Sequence, residues 1–379
     1  MITSPRTSSN TLSKRFPSGL PRAQTYRTPA EWEPHESTWL AWPHYRADWP
    51  GKFESIPWVY AEIIRHLSRH ERVDLIVKDA SAQKNARTIL DRANALNKNI
   101  RFHRCPTDRV WTRDSGCTFV QCGAGIPARD SRPAQGLAAI IWRFNAWAKY
   151  PNWKKDAKIA TQMAKAAGAR EISATKDDRR IVLEGGSIDV NGQGTLLTTE
   201  ECLLSPVQQR NRGMTREDYE TVFAEFLGIK KVIWLGKGIA GDDTHGHVDD
   251  LARFVAPDTI VTAVEQNPRN GNYAPLQDNL RRLKSATDQN LNPLNIIELP
   301  MPSPIIFEKR PLPASYANFY IANGIVLVPV FNDPNDRFAL NILSDLFPDR
   351  EVVGIYSGDL IWGFGAMHCM TQQQPRVTT

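Results

Sequence analysis

The sequence predicts an α/β protein, a closed five-bladed pseudo-symmetric α/β propeller of ββαβ units. Two observations predict it. Three tight-turn signals, Asn191-Gly192, Pro257-Asp258 and Asn323-Gly324, lie between alternating apolar runs and are spaced 66 residues apart. Around each turn the same order of elements recurs: a strand, the turn, a second strand, an amphipathic helix and a third strand. A further step of 66 residues back reaches Gly125, within Cys122-Gly123-Ala124-Gly125 and just after the strand-like run Gly116-Cys117-Thr118-Phe119-Val120, so the period extends over four units.

The second strands are expected at Gly194 to Thr198, Thr259 to Val264 and Ile325 to Val330. Helices follow at 215 to 227, 275 to 287 and 336 to 346, and third strands at Lys231 to Leu235, Leu294 to Leu299 and Glu351 to Ile355. A unit this small cannot bury both faces alone, so repetition about an axis is the natural way to complete its core, as a barrel or a propeller. A helix from Trp58 to Arg69, a strand from Val73 to Val77, a helix over 81 to 95 and a strand from Ile100 to His103 supply most of a fifth unit. The alternative is an ordinary mixed α/β sandwich whose turns are evenly spaced by coincidence.

Composition narrows the partners. The net charge is +6, but Arg6, Lys14, Arg15, Arg22 and Arg27 lie in an opening stretch of thirty residues without an acid, leaving 42 basic against 41 acidic residues elsewhere. That near-neutral body lacks the basic surface a nucleic acid requires and the polybasic amphipathic helix a membrane surface requires. No apolar run reaches transmembrane length. Five scattered cysteines suit a reducing compartment, so a cytoplasmic location is expected. Residues 1–25 read as a disordered leader and 26–379 as one catalytic domain. A mitochondrial transit peptide fits the Arg- and Ser-rich composition, but prolines such as Pro17 and Pro21 break its helix. A homodimer is compatible with the sequence.

If the units are related by rotation, residues just ahead of each first strand meet at one end of the axis. Those positions hold Trp111-Thr112-Arg113-Asp114, Leu183-Glu184-Gly185-Gly186-Ser187, Asp242 to Asp250 and Gly365-Ala366-Met367-His368-Cys369. Carboxylates beside a thiol suit a planar cation, since a guanidinium pairs bidentately with a carboxylate. Asp114 and Asp249 are expected to clamp it, Cys369 to attack its carbon, and His247 to move the protons. The bound cation then helps ionise the thiol. Gly185, Gly186 and Gly365 leave space for substrate, Trp111 forms a stacking wall, and Glu184 and Asp243 are candidates for further substrate contacts. His368, next to Cys369 on extended chain, points to the other face and is expected to be structural. Arg113 is expected to orient carboxylates, and the remaining cysteines to be inert.

Together, Glu31-Trp32-Glu33-Pro34-His35-Glu36, W-x-R-D at 111 to 114, L-E-G-G-S at 183 to 187, G-H-V-D-D at 246 to 250 and H-C-M-T-Q-Q-Q-P at 368 to 375 resemble the agmatine deiminase and bacterial-type peptidylarginine deiminase family, in order over residues 25 to 376. The resemblance implies the five-bladed guanidine-modifying fold and a catalytic set of Asp114, His247, Asp249 and Cys369. It also implies no metal or organic cofactor, and agmatine as the leading substrate, with peptidyl-arginine or another guanidine as the rival. Two segments depart from the family pattern, Gly363-Phe364-Gly365-Ala366-Met367-His368-Cys369 and Thr244-His245-Gly246-His247, so the pocket walls are expected to differ while the catalytic residues persist. A metal-dependent hydrolase with His245, His247 and Asp249 as zinc ligands is the competing class. The last histidine of its motif is replaced by Asp250.

Overall fold

The computed structural model describes residues 26–122 and 136–377. The expected leader, the transit-peptide alternative and the turn at Gly123 to Gly125 lie outside these residues. Five multi-stranded sheets carry the chain, each with an antiparallel pair followed by a parallel neighbour. The first contains Tyr26–Arg27, Thr118–Cys122, Leu137–Ile141 and Arg170–Ser173. The second orders Asp189–Val190, Thr195–Thr199 and Lys231–Leu235, the third Ala252–Ala256, Thr259–Val264 and Asn295–Pro300, and the fourth Tyr320–Ala322, Ile325–Val330 and Glu351–Tyr356. In the fifth, the C-terminal strand Gln372–Pro375 pairs antiparallel with His35–Ala41, which continues in parallel to Arg72–Val77 and Ile100–Arg104.

Helix ends follow local chemistry. The helix expected at 275 to 287 spans Tyr273–Lys284, because Pro275 is tolerated in a first turn, where an N–H has no intrahelical acceptor. The helix Arg216–Leu227 starts on a reciprocal cap between Thr215 and Asp218, a device worth about 1 kcal/mol, and stops at Gly228 in the left-handed conformation. Ala80–Arg92 is capped by Asp79, which accepts from the Ala82 N–H at 2.8 Å.

Among the described residues the sheets are separate, and none closes on itself. The expected closure is therefore not made by hydrogen bonds, because each unit's ladder stops at its third strand. Packing joins the units instead. Successive residues of a strand face opposite ways, so the middle strand of a unit serves two neighbours. Leu196 packs in a cluster with Ala138 and Ile140 of the first sheet, whereas Leu197 packs with Phe254 and Ile260 of the third. Val261 joins Val326 and Val328 of the fourth, while Ile325 and Leu327 pack in the cluster that holds Val73, Leu75, Phe119 and Ile141. Each such fully buried Leu, Ile or Val contributes roughly 1.5–3 kcal/mol.

Candidate active site

A short helical turn stands just ahead of four of the five first strands: Thr112–Ser115, Gly185–Ser187, Val248–Asp250 and Tyr316–Asn318. The segment 365–370 takes the same place ahead of Gln372–Pro375. These turns pack against one another and bring residues from the whole chain into one buried group.

Their meeting point is Gly186. A side-chain carbon there would lie 2.6 Å from His247 Nδ1, 2.9 Å from Asp114 Oδ1 and 3.0 Å from Asp249 Oδ2, so only glycine fits. Gly185 is pressed equally hard against the Arg113 carbonyl, and Gly365 against the Trp111 ring at 2.6 Å and Cys369 Cβ at 3.0 Å. A narrow pocket opens beside this point, lined by Arg109, Trp111, Asp114, Trp147, Asp243, Thr244, Gly363, Phe364 and Cys369. Asp249 Oδ2 lies 3.7 Å from Cys369 Sγ. A larger cavity has a mainly basic wall and does not include Cys369.

Asp114 accepts from the Gly186 N–H at 3.1 Å and from Trp147 Nε1 at 2.8 Å. Burial, with Asp249 and Glu184 close by, raises its pKa to about 6 despite the nearby His247. Burial raises the Cys369 thiol well above its usual value, and Asp249, Asp250 and Asp114 push the same way. Asp250 is likewise raised well above the carboxylate range, by burial and then by Asp249. For His247, burial favours the neutral ring, but Asp114, and then Cys202 and Glu184, outweigh it and hold the imidazole well above its usual pKa. Neither ring nitrogen of His247 has a hydrogen-bond partner among the described residues, and neither does Asp249 Oδ1. Against burial, His368 and then His247 hold the Asp249 carboxyl below its usual pKa, so the raised acids of the site are Asp114 and Asp250.

Other residues hold these groups in place. His368 bridges Asp249 Oδ2 at 2.7 Å and Glu31 Oε2 at 2.8 Å. Arg113 reaches Glu31 Oε2 at 3.1 Å and Gln373 Oε1 at 2.7 Å. Asn318 donates through Nδ2 to Cys369 Sγ at 3.1 Å and to Asp250 Oδ1 at 2.9 Å, while its oxygen accepts from the His368 N–H at 3.0 Å. Asp242 accepts from the N–H groups of Thr244, Gly246 and His247 and so shapes the loop that presents His247; Gly246 at φ +93° and His245 at φ +67° make its bend.

The sequence-predicted residues are distributed as follows. Cys369, Asp114, Trp111 and Asp243 line the pocket, and His247, Asp249 and Gly186 meet Asp114 behind it. Glu184 is fully buried and does not line the pocket: both its oxygens accept from Arg210 Nε, at 3.2 and 3.3 Å, and Oε2 stands 3.7 Å from His247 Nε2. Asp243 accepts from the Tyr150 hydroxyl and lies 3.7 Å from Lys149 Nζ. The competing zinc reading requires His245, His247 and Asp249 to converge. They do not: His245 turns to Ser205 Oγ at 3.3 Å, and the two clusters of ligand spacing among the described residues are Glu184, Cys202 and His247, and Asp249, Asp250 and Cys369.

Sequence reasoning missed Asn318, Trp147, Arg210 and Cys202. Asn318 was within reach, since it stands ahead of the fourth unit's first strand just as the other site residues stand ahead of theirs. Trp147 had no such signal. It sits mid-way along Ala146, Trp147 and Ala148, three successive residues at φ 52°, 58° and 56° with no glycine to announce the conformation. Cys202, expected to be inert, lies within 4.8 Å of His247 and Glu184.

The family model of the Porphyromonas-type peptidyl-arginine deiminases matches residues 27–375. The agmatine deiminase of Ectopseudomonas mendocina (strain ymp) is 35% identical, over 94% of this chain and 97% of that protein. Among solved structures, the agmatine deiminase of Enterococcus faecalis superposes with a TM-score of 0.82 at 30% identity, covering 93% of this chain and 97% of that one. An agmatine deiminase of C. jejuni gives a TM-score of 0.79 at 28% identity, covering 96% and 100%.

Proposed function

Because this chain belongs to the Porphyromonas-type peptidyl-arginine deiminase family, we propose that it hydrolyses agmatine to N-carbamoylputrescine and ammonia through a covalent amidino-cysteine intermediate. The observation that carries the reading is a buried thiol in a narrow pocket that Asp114 also lines, with Asp249 3.7 Å from its sulfur. Asp114 and Asp249 clamp the guanidinium, and Trp111 stacks on it. Arrival of that cation offsets the carboxylate charges that keep Cys369 protonated, so the thiol releases its proton to solvent as substrate binds.

The thiolate then forms a C–S bond to the guanidinium carbon. His247, already an imidazolium, protonates the departing nitrogen, and the C–N bond breaks to release ammonia. Water attacks the amidino-thioether and gives one proton to His247; as the C–S bond breaks, the remaining hydroxyl proton passes to the sulfur, leaving the ureido product and the Cys369 thiol. Glu184 acts through His247 rather than on substrate, with Arg210 holding it in place. Agmatine is preferred over peptidyl-arginine because a second buried carboxylate, Asp243, lines the same pocket and suits an amine tail.

The fold assigned with this function is a five-bladed propeller, supported by the five like-patterned sheets and by core clusters that link each sheet to the next. We assign residues 26–379 to one catalytic domain, since strands from both ends share the fifth sheet. A cytoplasmic location accords with five unpaired cysteines and with the finding that no helix among the described residues is long and apolar enough to cross a membrane.

The test compares agmatine, free arginine and an arginyl peptide, assaying ammonia and ureido product with and without a chelator. The expected result is chelator-resistant turnover of agmatine, with a loss of at least about 10⁴-fold in Cys369→Ser. Turnover of the peptide alone would move the substrate and keep the mechanism, whereas activity surviving in Cys369→Ser would remove the thiol mechanism.

A further inference from the structure

A cavity of about 840 Å³ shares no lining residue with the narrow pocket and is within the size range of small-molecule sites. Three segments enclose it: the residues following strand Leu137–Ile141, the hairpin of Thr175–Lys176 and Arg179–Arg180, and the loop 210–214. Its lining holds six basic residues against two acidic ones, Asp177 and Asp218. This polarity is opposite to that of the narrow pocket; Arg210 lines the cavity and pairs with Glu184, which lies 3.7 Å from His247. A guanidinium or amine substrate would be repelled here.

The cations differ in how far they are already paired. Arg210 is held by Glu184 and by backbone carbonyls, Arg180 NH2 donates to the Ile141 carbonyl at 3.0 Å, and Lys176 lies 3.1 Å from Asp218. Arg143, Arg179 and Arg212 have neither a side-chain hydrogen bond nor an ion pair among the described residues. Their backbones are nonetheless held firmly. The Arg143 N–H donates to the Ile181 carbonyl at 2.8 Å, and Asn211 bonds both to the Val182 N–H at 2.9 Å and to its carbonyl at 2.7 Å. The hairpin turns through Asp177 and Asp178 in the left-handed region, placing Lys176 and Arg179 side by side. Trp153 and Met214 add apolar wall to the same cavity.

We propose that this cavity binds a small organic anion carrying two or more phosphate or carboxylate charges, with Arg143, Arg179 and Arg212 as its principal ligands. Arg143, Arg179 and Arg212 are exposed, line one space and are unpaired among the described residues, and such guanidinium groups suit multivalent oxyanions, to which they donate charge-assisted, often paired hydrogen bonds. The apolar wall suits a ligand with a ring or hydrocarbon portion. The site is independent of which guanidine the catalytic pocket accepts.

The test is calorimetric titration of the full-length protein with tripolyphosphate, ATP and citrate, each in 150 mM salt so that diffuse attraction is screened. Saturable binding of one anion per chain is expected. Tighter binding of ATP than of tripolyphosphate would assign the apolar wall to a ring, and binding of citrate alone would assign the ligand to polycarboxylates. The R143Q/R179Q/R212Q protein should bind at least about tenfold more weakly while keeping its agmatine turnover and melting temperature. Asp177→Asn, which removes an acid yet tolerates the left-handed turn, should bind about twofold more tightly, a gain that misfolding cannot imitate. Absence of saturable binding for all three anions, or unchanged binding in the triple variant, would overturn the proposal.

Discussion

Two buried carboxylate groups sit on either side of His368 and behave in opposite ways. On one side, Glu31 faces Arg113, His368 and Arg253, whose NH2 lies 2.8 Å from Oε1; burial works against its charge, but these cations hold its pKa well below the usual range. Beyond Asp249, whose carboxyl His368 also holds low against burial, Asp114 is equally buried yet has a pKa of about 6, and Asp250 is raised well above the carboxylate range. Depth is the same and residue type nearly so. The difference is the number of fixed cations within reach. The first group is a permanent ionic knot that pins the first-strand turns together. In the second, the carboxylates of Asp114 and Asp250 outweigh the positive charge beside them, with His247 3.8 Å from Asp114.

The comparison can be broken from either side. Asp249→Asn removes charge from the catalytic group, and a loss of about 10²–10³-fold in kcat/KM is expected, from 2–5 kcal/mol of a desolvated charge pair, with little change in melting temperature. Steady-state kinetics beside a thermal melt checks both halves. Glu31→Gln attacks the knot and leaves Arg253, which is fully buried, short of an anion. Chemical denaturation should show about 3–5 kcal/mol lost, with activity reduced only as far as His368 and Asp249 shift.

Acidification separates the two groups without mutation. Asp114 binds a cation only when ionised, so KM for agmatine should rise as pH falls through about 6, tending toward tenfold per unit below it. Glu31, whose pKa is lowered on folding, contributes its stability fully above the unfolded carboxylate value and loses it only at lower pH, so at pH 5 the knot should persist while affinity has fallen. A melt that collapses together with affinity near pH 6 would erase the distinction. The smallest effect belongs to Trp147→Phe. Loss of its 2.8 Å hydrogen bond should raise the Asp114 pKa further, move the acid limb upward and weaken agmatine binding several-fold, about 1 kcal/mol.

Much of this was legible in the sequence, because it rests on local signals. The 66-residue period marked the second strands at Thr259–Val264 and Ile325–Val330, whose bounds coincide with those observed, and it located the turns where the candidate site residues gather. Cys369, His247, Asp249 and Asp114 were singled out by residue type, by their place ahead of a strand and by the family motifs, and the fold brings them together. Tertiary structure alone decided which charges are paired. Glu31 and His368 are 337 positions apart, Arg210 and Glu184 26, and Asn318 and Cys369 51, and no periodicity relates such partners. Glu184 therefore read as a substrate ligand until Arg210 was seen against it, and Trp147 read as core until its indole N–H was found on Asp114. Chain-local propensities set elements and their order, whereas the ionisation state of a buried group depends on every charge within a few ångströms, and only the completed packing brings those charges together.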